Sequence, residues 1–341
     1  MPQRLEALTL WVQNVLGQED LHVMPASSDA SFRRYFRVTS RNNATTLPLK
    51  GGQEAASSLI VMDAPPDKED IHPFMAISDL LVEIGLNAPQ VLAVDEVQGF
   101  LLLSDLGSQP YLGALNAQTV DQLYGDALDA LLTMQAKVPR DDRLPPYDEA
   151  LLLREMELFR EWYLRRYLNL SLTAQQQAIL DQTFHLLAQA ALAQPRVFVH
   201  RDYHSRNLMV TAQNNPGILD FQDAVVGPVT YDLASLLRDC YVAWPRQQVE
   251  GWALEFLHRA ADAGVFERND NMSDETLLRW FDWMGVQRHL KASGIFARLK
   301  LRDGKDGYLA DIPRTLGYVR DVCGRYAELK PLGDFLAGLA H

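Results

Sequence analysis

The stretch that decides the fold is His200-Arg-Asp-Tyr-His-Ser-Arg-Asn207, which is followed by Asp220-Phe-Gln222. It contains one isolated acid, Asp202, and two further oxygen donors, Asn207 and Asp220. An isolated carboxylate can accept the proton of a hydroxyl group, and an amide together with a second carboxylate can hold a magnesium ion. The pattern therefore contains the side chains that metal-assisted phosphoryl transfer requires.

The segment between these motifs predicts a β-hairpin. Two short apolar runs, Leu208-Met-Val-Thr211 and Gly217-Ile-Leu-Asp220, are typical of strands, and Gln213-Asn-Asn-Pro216 between them is typical of a turn. An antiparallel hairpin of this length returns Asp220 to the side of Asn207. We therefore expect both oxygen donors to face one metal ion.

Two other interpretations fit parts of the motif. In the first, His200, Asp202 and Asn207 only cap turns and satisfy backbone groups of a loop. In the second, His200, Asp202 and His204 are the ligands of a zinc hydrolase, because imidazole and carboxylate groups suit zinc. The second leaves Asn207 and Asp220 without a role, and no further cluster of histidines in the sequence completes such a site.

The run from Asp220 to Ser235, Asp-Phe-Gln-Asp-Ala-Val-Val-Gly-Pro-Val-Thr-Tyr-Asp-Leu-Ala-Ser, resembles a motif of the aminoglycoside phosphotransferase-like small-molecule kinases. That family includes choline, homoserine and fructosamine kinases. The resemblance covers essentially the whole chain and recurs at 29–38, 58–65 and 100–107. It implies a two-lobed, protein-kinase-like fold and an enzyme that uses ATP and magnesium.

The same resemblance implies roles for individual residues. Asp202 would be the catalytic base, and Asn207 and Asp220 would be the metal ligands. His200 and Asp232 would be structural and would hold the catalytic loop in place. A carboxylate at Asp232 also suits the start of the helix that we predict over 233–241.

Two segments in the C-terminal part of the chain indicate which acceptor the resemblance implies. The segments 287–298 and 303–308 resemble bacterial members of the family that phosphorylate the anomeric hydroxyl of N-acetylmuramate and N-acetylglucosamine during cell-wall recycling. We expect the sugar-binding residues to include His204, Arg206, Asp223 and Arg298. Alternative acceptors are an aminoglycoside, choline or homoserine. Choline would require an aromatic cage, for which Phe296 and Tyr308 are candidates.

The order of predicted elements indicates an α+β protein with two lobes. Residues 1–104 begin with an amphipathic helix and continue mainly as short strands, which predicts a small lobe built on an antiparallel sheet. Residues 105–110 would be the hinge. Residues 111–341 would form a larger lobe that is helical apart from the hairpin.

A nucleotide would lie in the cleft between such lobes. The main chain at Ser104 and Leu106, where an apolar strand ends, could bind the adenine edge. The expected phosphate-covering segment, Ser27-Ser-Asp-Ala-Ser-Phe-Arg-Arg-Tyr35, contains no glycine. We therefore assign phosphate binding to Ser31, Arg33 and Arg34, of which only one arginine should point toward the cleft.

One residue departs from the family pattern in a way that matters for activity. The third strand carries Met62 where a lysine should meet the phosphates, and methionine cannot offset phosphate charge. This substitution leaves open a nucleotide-binding, pseudokinase-like protein without turnover. Against that alternative, the proton acceptor and both metal ligands are all present.

Composition limits the environment and the partners. The chain has 341 residues, 48% of them hydrophobic, and a net charge of −12, which argues against nucleic acid as a partner. Its start resembles no signal peptide, no apolar run could span a membrane, and two cysteines make no disulfide framework. We expect a cytoplasmic monomer that binds ATP and a small amino sugar.

Charge is unevenly distributed along the chain. Residues 286–325 contain nine lysines and arginines against four aspartates and no glutamate. Most of these basic residues are expected on the solvated face of a helix, with one or two of them meeting an anionic group of the substrate.

Overall fold

The computed structural model describes residues 2–28, 32–41, 46–47, 57–141, 143–268 and 272–339. Within it the chain forms two compact units, one made of 1–109 with 209–223 and the other of 110–208 with 224–341. The first unit therefore includes the turn of the hairpin as well as the N-terminal part of the chain.

The first unit is built on a five-stranded antiparallel sheet in the order β1-β2-β3-β5-β4. Its elements are α1 (Pro2–Leu16), β1 (Leu21–Ser28), β2 (Arg34–Ser40), β3 (Leu59–Asp63), α2 (His72–Glu83), β4 (Val91–Asp95) and β5 (Phe100–Ser104). The predicted amphipathic helix and the predicted short strands are thus present. At Gly99, in the β4–β5 turn, φ is +69° and a Cβ would lie 1.9 Å from the carbonyl oxygen of Ala64, so only glycine fits.

The core of this unit lies between α1 and one face of the sheet. Alternate strand residues point to that face and are buried with the apolar side of α1; they are Phe36, Val38, Leu59, Val61, Phe100 and Leu102, packed against Leu8, Val12 and Leu16. Each fully buried side chain of this kind stabilises the fold by about 1.5–3 kcal/mol. The residues between them, Arg37 and Met62 among others, point to the opposite face.

The second unit is mainly helical. Its helices are α3 (Tyr111–Ala114), α4 (Val120–Lys137), α5 (Glu149–Leu158), a π-helix (Phe159–Tyr167), α6 (Ala174–Leu192), α7 (Tyr231–Leu237), α8 (Arg246–Asp262), α9 (Asp274–Asp303), α10 (Ile312–Cys323) and α11 (Lys330–Ala337), with 3₁₀ turns at Asp306–Asp311 and Ala327–Leu329. Helix α9 begins at the cap Ser273, whose side chain accepts the N–H of Thr276, and ends at Gly304, where φ is +67°. It is buried along most of its length and packs against α5, α6, α7 and α10.

Helix α9 approaches the end of α5 unusually closely at one residue. A Cβ on Gly294 would lie 2.2–2.5 Å from backbone atoms of Leu158 and Phe159, where α5 becomes the π-helix. Backbone atoms cannot move aside as a flexible side chain can. The two helices therefore touch through a residue that has no side chain.

The expectation that only the hairpin interrupts the helices after residue 111 is wrong. Strands β6 (Arg196–Val199) and β9 (Val225–Pro228) pair antiparallel, with Val199 opposite Val225. Both are short and almost wholly buried, so they lack the apolar–polar alternation by which a half-exposed strand is recognised. They matter because the catalytic-loop motif starts directly after β6.

The predicted hairpin is present with shorter strands than expected. They are β7 (Leu208–Met209) and β8 (Gly217–Ile218), which pair with each other. The turn is closed by side chains, since the Thr211 N–H donates to Oδ1 of Asn215 at 3.0 Å. In the first unit, the Ile218 N–H donates to the carbonyl of Asn87 at 2.8 Å, which attaches the hairpin to the segment after α2.

Candidate active site

The loop that follows β6 is held in place by Asp232 in the first turn of α7. Its fully buried carboxylate accepts the backbone N–H of His200 at 2.6 Å and of Arg201 at 3.0 Å. Arg201 has φ +78°, a conformation that costs free energy in a non-glycine residue and is common at functional sites. Burial raises the pKa of Asp232 to about 7, although both N–H bonds act against this rise.

Hydrogen bonds within the loop then set the direction of each side chain. The Asp202 carbonyl accepts the backbone N–H of His204 at 3.1 Å and the side-chain amide of Asn207 at 3.0 Å. Ser205 donates its N–H to Asp239 at 2.9 Å. Because the nitrogen of the Asn207 amide is directed at Asp202, the oxygen is the end of the amide suited to a cation, as a magnesium ligand requires.

Positive charges surround the half-buried carboxylate of Asp202. Burial raises the pKa of this carboxyl, but Lys291, Arg288 and Arg201, together with the ring of His204, outweigh burial and lower it below its usual range. Asp202 is therefore a carboxylate at neutral pH. It is in the protonation state that a proton acceptor needs.

Two of these cations are held by one buried acid, Glu155 of α5. Its carboxylate pairs with Lys291 at 3.0 Å and with Arg201 at 2.5 Å, and it also accepts the hydroxyl of Tyr147. Lys291 in turn donates to the hydroxyl of Tyr231 at 2.9 Å. This Glu155 network joins α5, α9 and the catalytic loop in the interior of the second unit.

An aromatic cluster lies beside the loop and contains a cation of the chain itself. The ring of Phe296 stacks on Tyr308 with centroids 5.6 Å apart, and Tyr241 lies 6.2 Å from Phe296. The guanidinium of Arg206 is 3.7 Å from the centroid of Tyr241 and 5.2 Å from that of Tyr308. Phe296 and Tyr308 do converge, but Arg206 fills the position that a cationic ligand would take in an aromatic cage.

Of the other residues expected to bind the sugar, His204 contacts this cluster, whereas Arg298 and Asp223 have other surroundings. The buried ring of His204 packs edge-on against Tyr241, with centroids 5.3 Å apart. Arg298 is half-buried toward the end of α9, where Arg302 and Asp303 are its charged neighbours. Asp223 is exposed and belongs to the first unit.

Asp220, the second expected metal ligand, belongs to the first unit and has its own surroundings there. Its φ is +63°, and its Oδ1 accepts the side-chain amide of Gln222 at 2.8 Å. The neighbouring Phe221 is fully buried and packs on Phe74 of α2, with ring centroids 4.9 Å apart. The Asp-Phe motif is thus held by α2 and the hairpin.

The cations assigned to the phosphates are each bound to an acid of the first unit. Arg33 lies 3.1 Å from Glu69, and Arg34 pairs with the buried Asp63, which also accepts Nε of Arg4 at 2.6 Å. Asp63 and Arg4 lie on the α1 side of the sheet, so Arg34 points away from the face that carries Met62. Ser31 lies outside the described residues.

Met62 itself is fully buried, so no cation replaces the missing lysine at that position. On the same face, Arg37 forms two hydrogen bonds to Asp105, at 2.6 and 3.0 Å, and donates to the carbonyl of Gly107 at 2.7 Å. These contacts fix the segment predicted to be the hinge. Burial raises the pKa of Asp105, but bonds from Arg37, Ser58 and Gly107 outweigh it and lower that pKa.

The hinge residues differ in how their main chain is used. The N–H of Ser104 donates to the carbonyl of Gln90 at 3.0 Å, so it is engaged inside the sheet. Any contact of Ser104 with adenine would have to involve its carbonyl oxygen. For Leu106, no backbone–backbone hydrogen bond is found within the described part of the first unit.

The zinc-hydrolase interpretation requires His200, Asp202 and His204 to gather as ligands. Across the residues that the structure describes, no three His, Cys, Asp or Glu side chains are grouped in this way. The described helices also include none that is long and apolar enough to cross a membrane.

Sequence reasoning missed the Glu155 network and the burial of two basic residues. Arg288 and Lys291 are only 5% and 7% exposed, so they are exceptions to the expectation of a solvated basic face. It holds for Arg302, Arg314, Arg320 and Arg325, which are exposed. The signal in the sequence was the run Gln287-Arg-His-Leu-Lys291. Its polar residues point in several directions around the helix, so they cannot all lie on one solvated face.

Comparisons with known proteins agree with this fold and identify a family. The model of the phosphotransferase enzyme family matches residues 22–269. An N-acetylmuramate/N-acetylglucosamine kinase of Pseudomonas putida is 47% identical, over 98% of this chain and 96% of that protein. One of Neisseria meningitidis serogroup B is 43% identical, over 99% of this chain and 96% of that protein.

Solved structures share the fold at low identity. A choline kinase from Cryptosporidium parvum has a TM-score of 0.63 at 13% identity, covering 97% of this chain and 99% of that one. An aminoglycoside phosphotransferase in ternary complex with ADP and hygromycin B has a TM-score of 0.57 at 15% identity, covering 92% and 98%. The predictions of a protein-kinase-like α+β fold and of a small-molecule kinase are confirmed. The chain belongs to the phosphotransferase enzyme family.

Proposed function

We propose that this protein transfers the γ-phosphoryl group of ATP to the anomeric hydroxyl of N-acetylmuramate and of N-acetylglucosamine, giving the sugar 1-phosphate. The observation that carries the proposal is the state of Asp202. It is a carboxylate held at the end of a loop that Asp232 fixes, with its charge maintained by buried cations. Such a group can accept the proton of an attacking hydroxyl.

Magnesium would be held by Asn207 and Asp220 together with the phosphates of ATP. The fit rests on donor chemistry, because both residues offer oxygen and the Asn207 amide has its nitrogen directed elsewhere. A bound magnesium ion neutralises charge that develops on the transferred phosphoryl group. The role of Asp202 is to orient and deprotonate the sugar hydroxyl, which as an anomeric hydroxyl is more acidic than an ordinary alcohol.

The aromatic cluster supports a neutral or acidic acceptor over a cationic one. Aminoglycosides and choline carry positive charge, and both would meet Arg206 within the rings of Tyr241 and Tyr308. The like charge would oppose their binding. A sugar can instead pack against an aromatic ring and accept hydrogen bonds from Arg206 or His204. The curated relatives carry names that specify such sugars.

The test is a phosphorylation screen with ATP and magnesium over both N-acetylated sugars, an aminoglycoside, choline and homoserine. We expect ³¹P NMR to show a sugar 1-phosphate, with loss of the reducing end, for the two N-acetylated sugars. Asp202→Asn serves as the matched inactive enzyme. Turnover of a cationic acceptor in preference to both sugars would contradict the proposal.

A second candidate function follows from Met62. Its complete burial leaves the third strand without a phosphate-binding cation, as in a protein that holds nucleotide without turnover. Calorimetric titration with ATP separates the two cases. Tight ATP binding without a product from any acceptor would favour the binding protein over the kinase.

A further inference from the structure

Arg288 of α9 is a buried cation whose charge no acid balances directly. The residue is 5% exposed, and within the described chain no carboxylate lies within 4.0 Å of its guanidinium. Its Nη1 donates to the thiol of Cys240 at 3.6 Å, and its buried Nε has no hydrogen-bond partner there. A buried guanidinium normally has an acid beside it, because leaving one unpaired costs several kcal/mol.

Lys291 provides the contrast, three residues further along the same face of α9. It is buried to the same degree, but it pairs with Glu155 at 3.0 Å and donates to Tyr231 at 2.9 Å. The structural need for a cation in this interior is therefore met by Lys291. Arg288 has no comparable partner in the described chain, so the presence of its charge in this interior needs a different explanation.

Contacts bring Arg288 beside the loop that carries Asp202, because it donates to Cys240 and the ring of the next residue, Tyr241, packs against His204 with centroids 5.3 Å apart. Burial lowers its pKa, but Cys240, Tyr231, Asp202 and Asp239 outweigh burial and raise it, so the guanidinium stays charged. His204 is also close enough for the charges of Arg288 and Asp202 to act on it, and its buried Nδ1 has no partner in the described chain. Two unused polar atoms thus accompany the catalytic carboxylate.

We propose that Arg288, assisted by Nδ1 of His204, binds the lactyl carboxylate of N-acetylmuramate and is the residue that recognises the acidic sugar. This inference rests on the proposed function, since it assumes that the sugar hydroxyl lies at Asp202. The lactyl ether is on the same ring as the anomeric hydroxyl, so its acid reaches groups close to the base. A carboxylate would complete the hydrogen bonds of the guanidinium.

Arg298, the residue expected from sequence to meet this acid, is less suited to it. Ten residues separate the two arginines, which is about 15 Å along a helix axis. The charged neighbours of Arg298 are Arg302 and Asp303, with none from the catalytic loop. N-acetylglucosamine lacks the acid and should bind without either arginine.

The experiment measures kcat and KM for both sugars in Arg288→Met, which keeps length and removes charge. We expect KM for N-acetylmuramate to rise at least about tenfold, as for loss of a charge-assisted hydrogen bond. KM for N-acetylglucosamine and for ATP should change less than about threefold, and any fall in kcat that follows from removing a charge near Asp202 should be the same for both sugars. The exposed Arg302→Met, on the same helix, is the control that should leave both sugars unaffected.

A change on the substrate makes the test independent of how the variants fold. The methyl ester of N-acetylmuramate should have a KM at least about tenfold above that of the acid in the wild-type enzyme. In Arg288→Met, ester and acid should become equal. Should that variant be insoluble, Arg288→Lys is measured instead, and we expect a smaller acid-to-ester ratio because lysine lacks the planar fork.

Three results would overturn the inference while the proposed function stands. The first is an equal rise of KM for both sugars in Arg288→Met, which would assign Arg288 to the shared phosphoryl group. The second is an acid-to-ester ratio of KM that is the same in the variants as in the wild type. The third is a selective rise of KM for N-acetylmuramate in Arg298→Met without such a rise in Arg288→Met. Failure of the wild-type enzyme to phosphorylate either sugar would instead refute the proposed function itself.

Discussion

The surroundings of Asp202 and the N-terminal sheet use charged residues in opposite ways. Around Asp202, buried cations outnumber the acids that bind them, so positive charge acts on its carboxylate. On the sheet, each of Arg33, Arg34 and Arg37 is bound to its own acid. The contrast shows that uncompensated positive charge gathers around Asp202, whereas the arginines of the sheet have their charge balanced by acids.

The largest effect is expected from Asp202→Asn. Loss of the proton acceptor should lower kcat by about two to four orders of magnitude, while affinity for ATP stays near that of the wild type. Steady-state kinetics and calorimetric titration check the two parts separately. A kcat within a factor of three of wild type would contradict the comparison, because Asp202 and the cations around it would then have no role in the reaction.

Glu155→Gln tests whether the buried cations are held as a network. The change leaves Lys291 and Arg201 without their shared acid, so we expect the free energy of unfolding to fall by about 3–5 kcal/mol. Urea denaturation measures it. The matched control is Asp334→Asn, which removes the exposed pair with Lys330 and should cost less than about 1 kcal/mol. Equal losses of unfolding free energy in the two variants would show that the buried ion pairs stabilise the protein no more than the exposed one.

His289 tests the same interior through pH. Burial, and next the charge of Arg288, lower its pKa to about 3, and Nε2 donates to the carbonyl of Arg238 at 2.7 Å. Because the unfolded chain takes up this proton from about pH 6.5 downward, stability is complete above that pH and falls as the pH drops toward 3. By pH 5 the loss should be about 2 kcal/mol.

Urea denaturation at pH 7 and pH 5 checks this expectation in His289→Gln, which cannot titrate but can still donate to Arg238. The variant should lose less stability than wild type between the two pH values. The exposed His185→Gln is the control and should retain the dependence of the wild type. The same slope in all three proteins would assign the acid sensitivity to other groups.

The smallest expected effect concerns ATP binding, and it tests whether Arg33 or Arg34 contacts the nucleotide. Arg34 is bound to the fully buried Asp63, whereas Arg33 immediately precedes the strand and pairs with Glu69, which is less completely buried. We expect Arg33→Met to raise KM for ATP about tenfold and Arg34→Met to raise it less. A larger effect from Arg34 would show that its bond to Asp63 breaks when ATP binds.

Most of the fold could be predicted because its elements carry local signals. The N-terminal strands alternate buried and exposed residues, α1 is amphipathic, and the hairpin has a strong turn. Strands β6 and β9 could not be found in this way, because burial on both faces removes alternation. The motif likewise identified Asp202, Asn207 and Asp220 as candidates, and their roles stay predictions.

Partners of the site were harder to predict, since they meet only in three dimensions. Glu155 lies 46 residues before Arg201 in sequence, and nothing near Glu155 marks it as buried. The aromatic cluster was considered as a cage, but the position of Arg206 within it depends on contacts between distant segments. The basic residues of α9 could be counted in the sequence, but which of them are buried depends on which faces of the helix are covered.

The close approach at Gly294 has a consequence for how this family can vary. In a library that replaces each glycine with every other residue, position 294 should accept almost none, since even a methyl group would push α9 away from Leu158. That displacement would also separate Lys291 from Glu155, so surviving variants should be poor enzymes as well as unstable proteins. Gly251, which has open space around it, should tolerate most replacements.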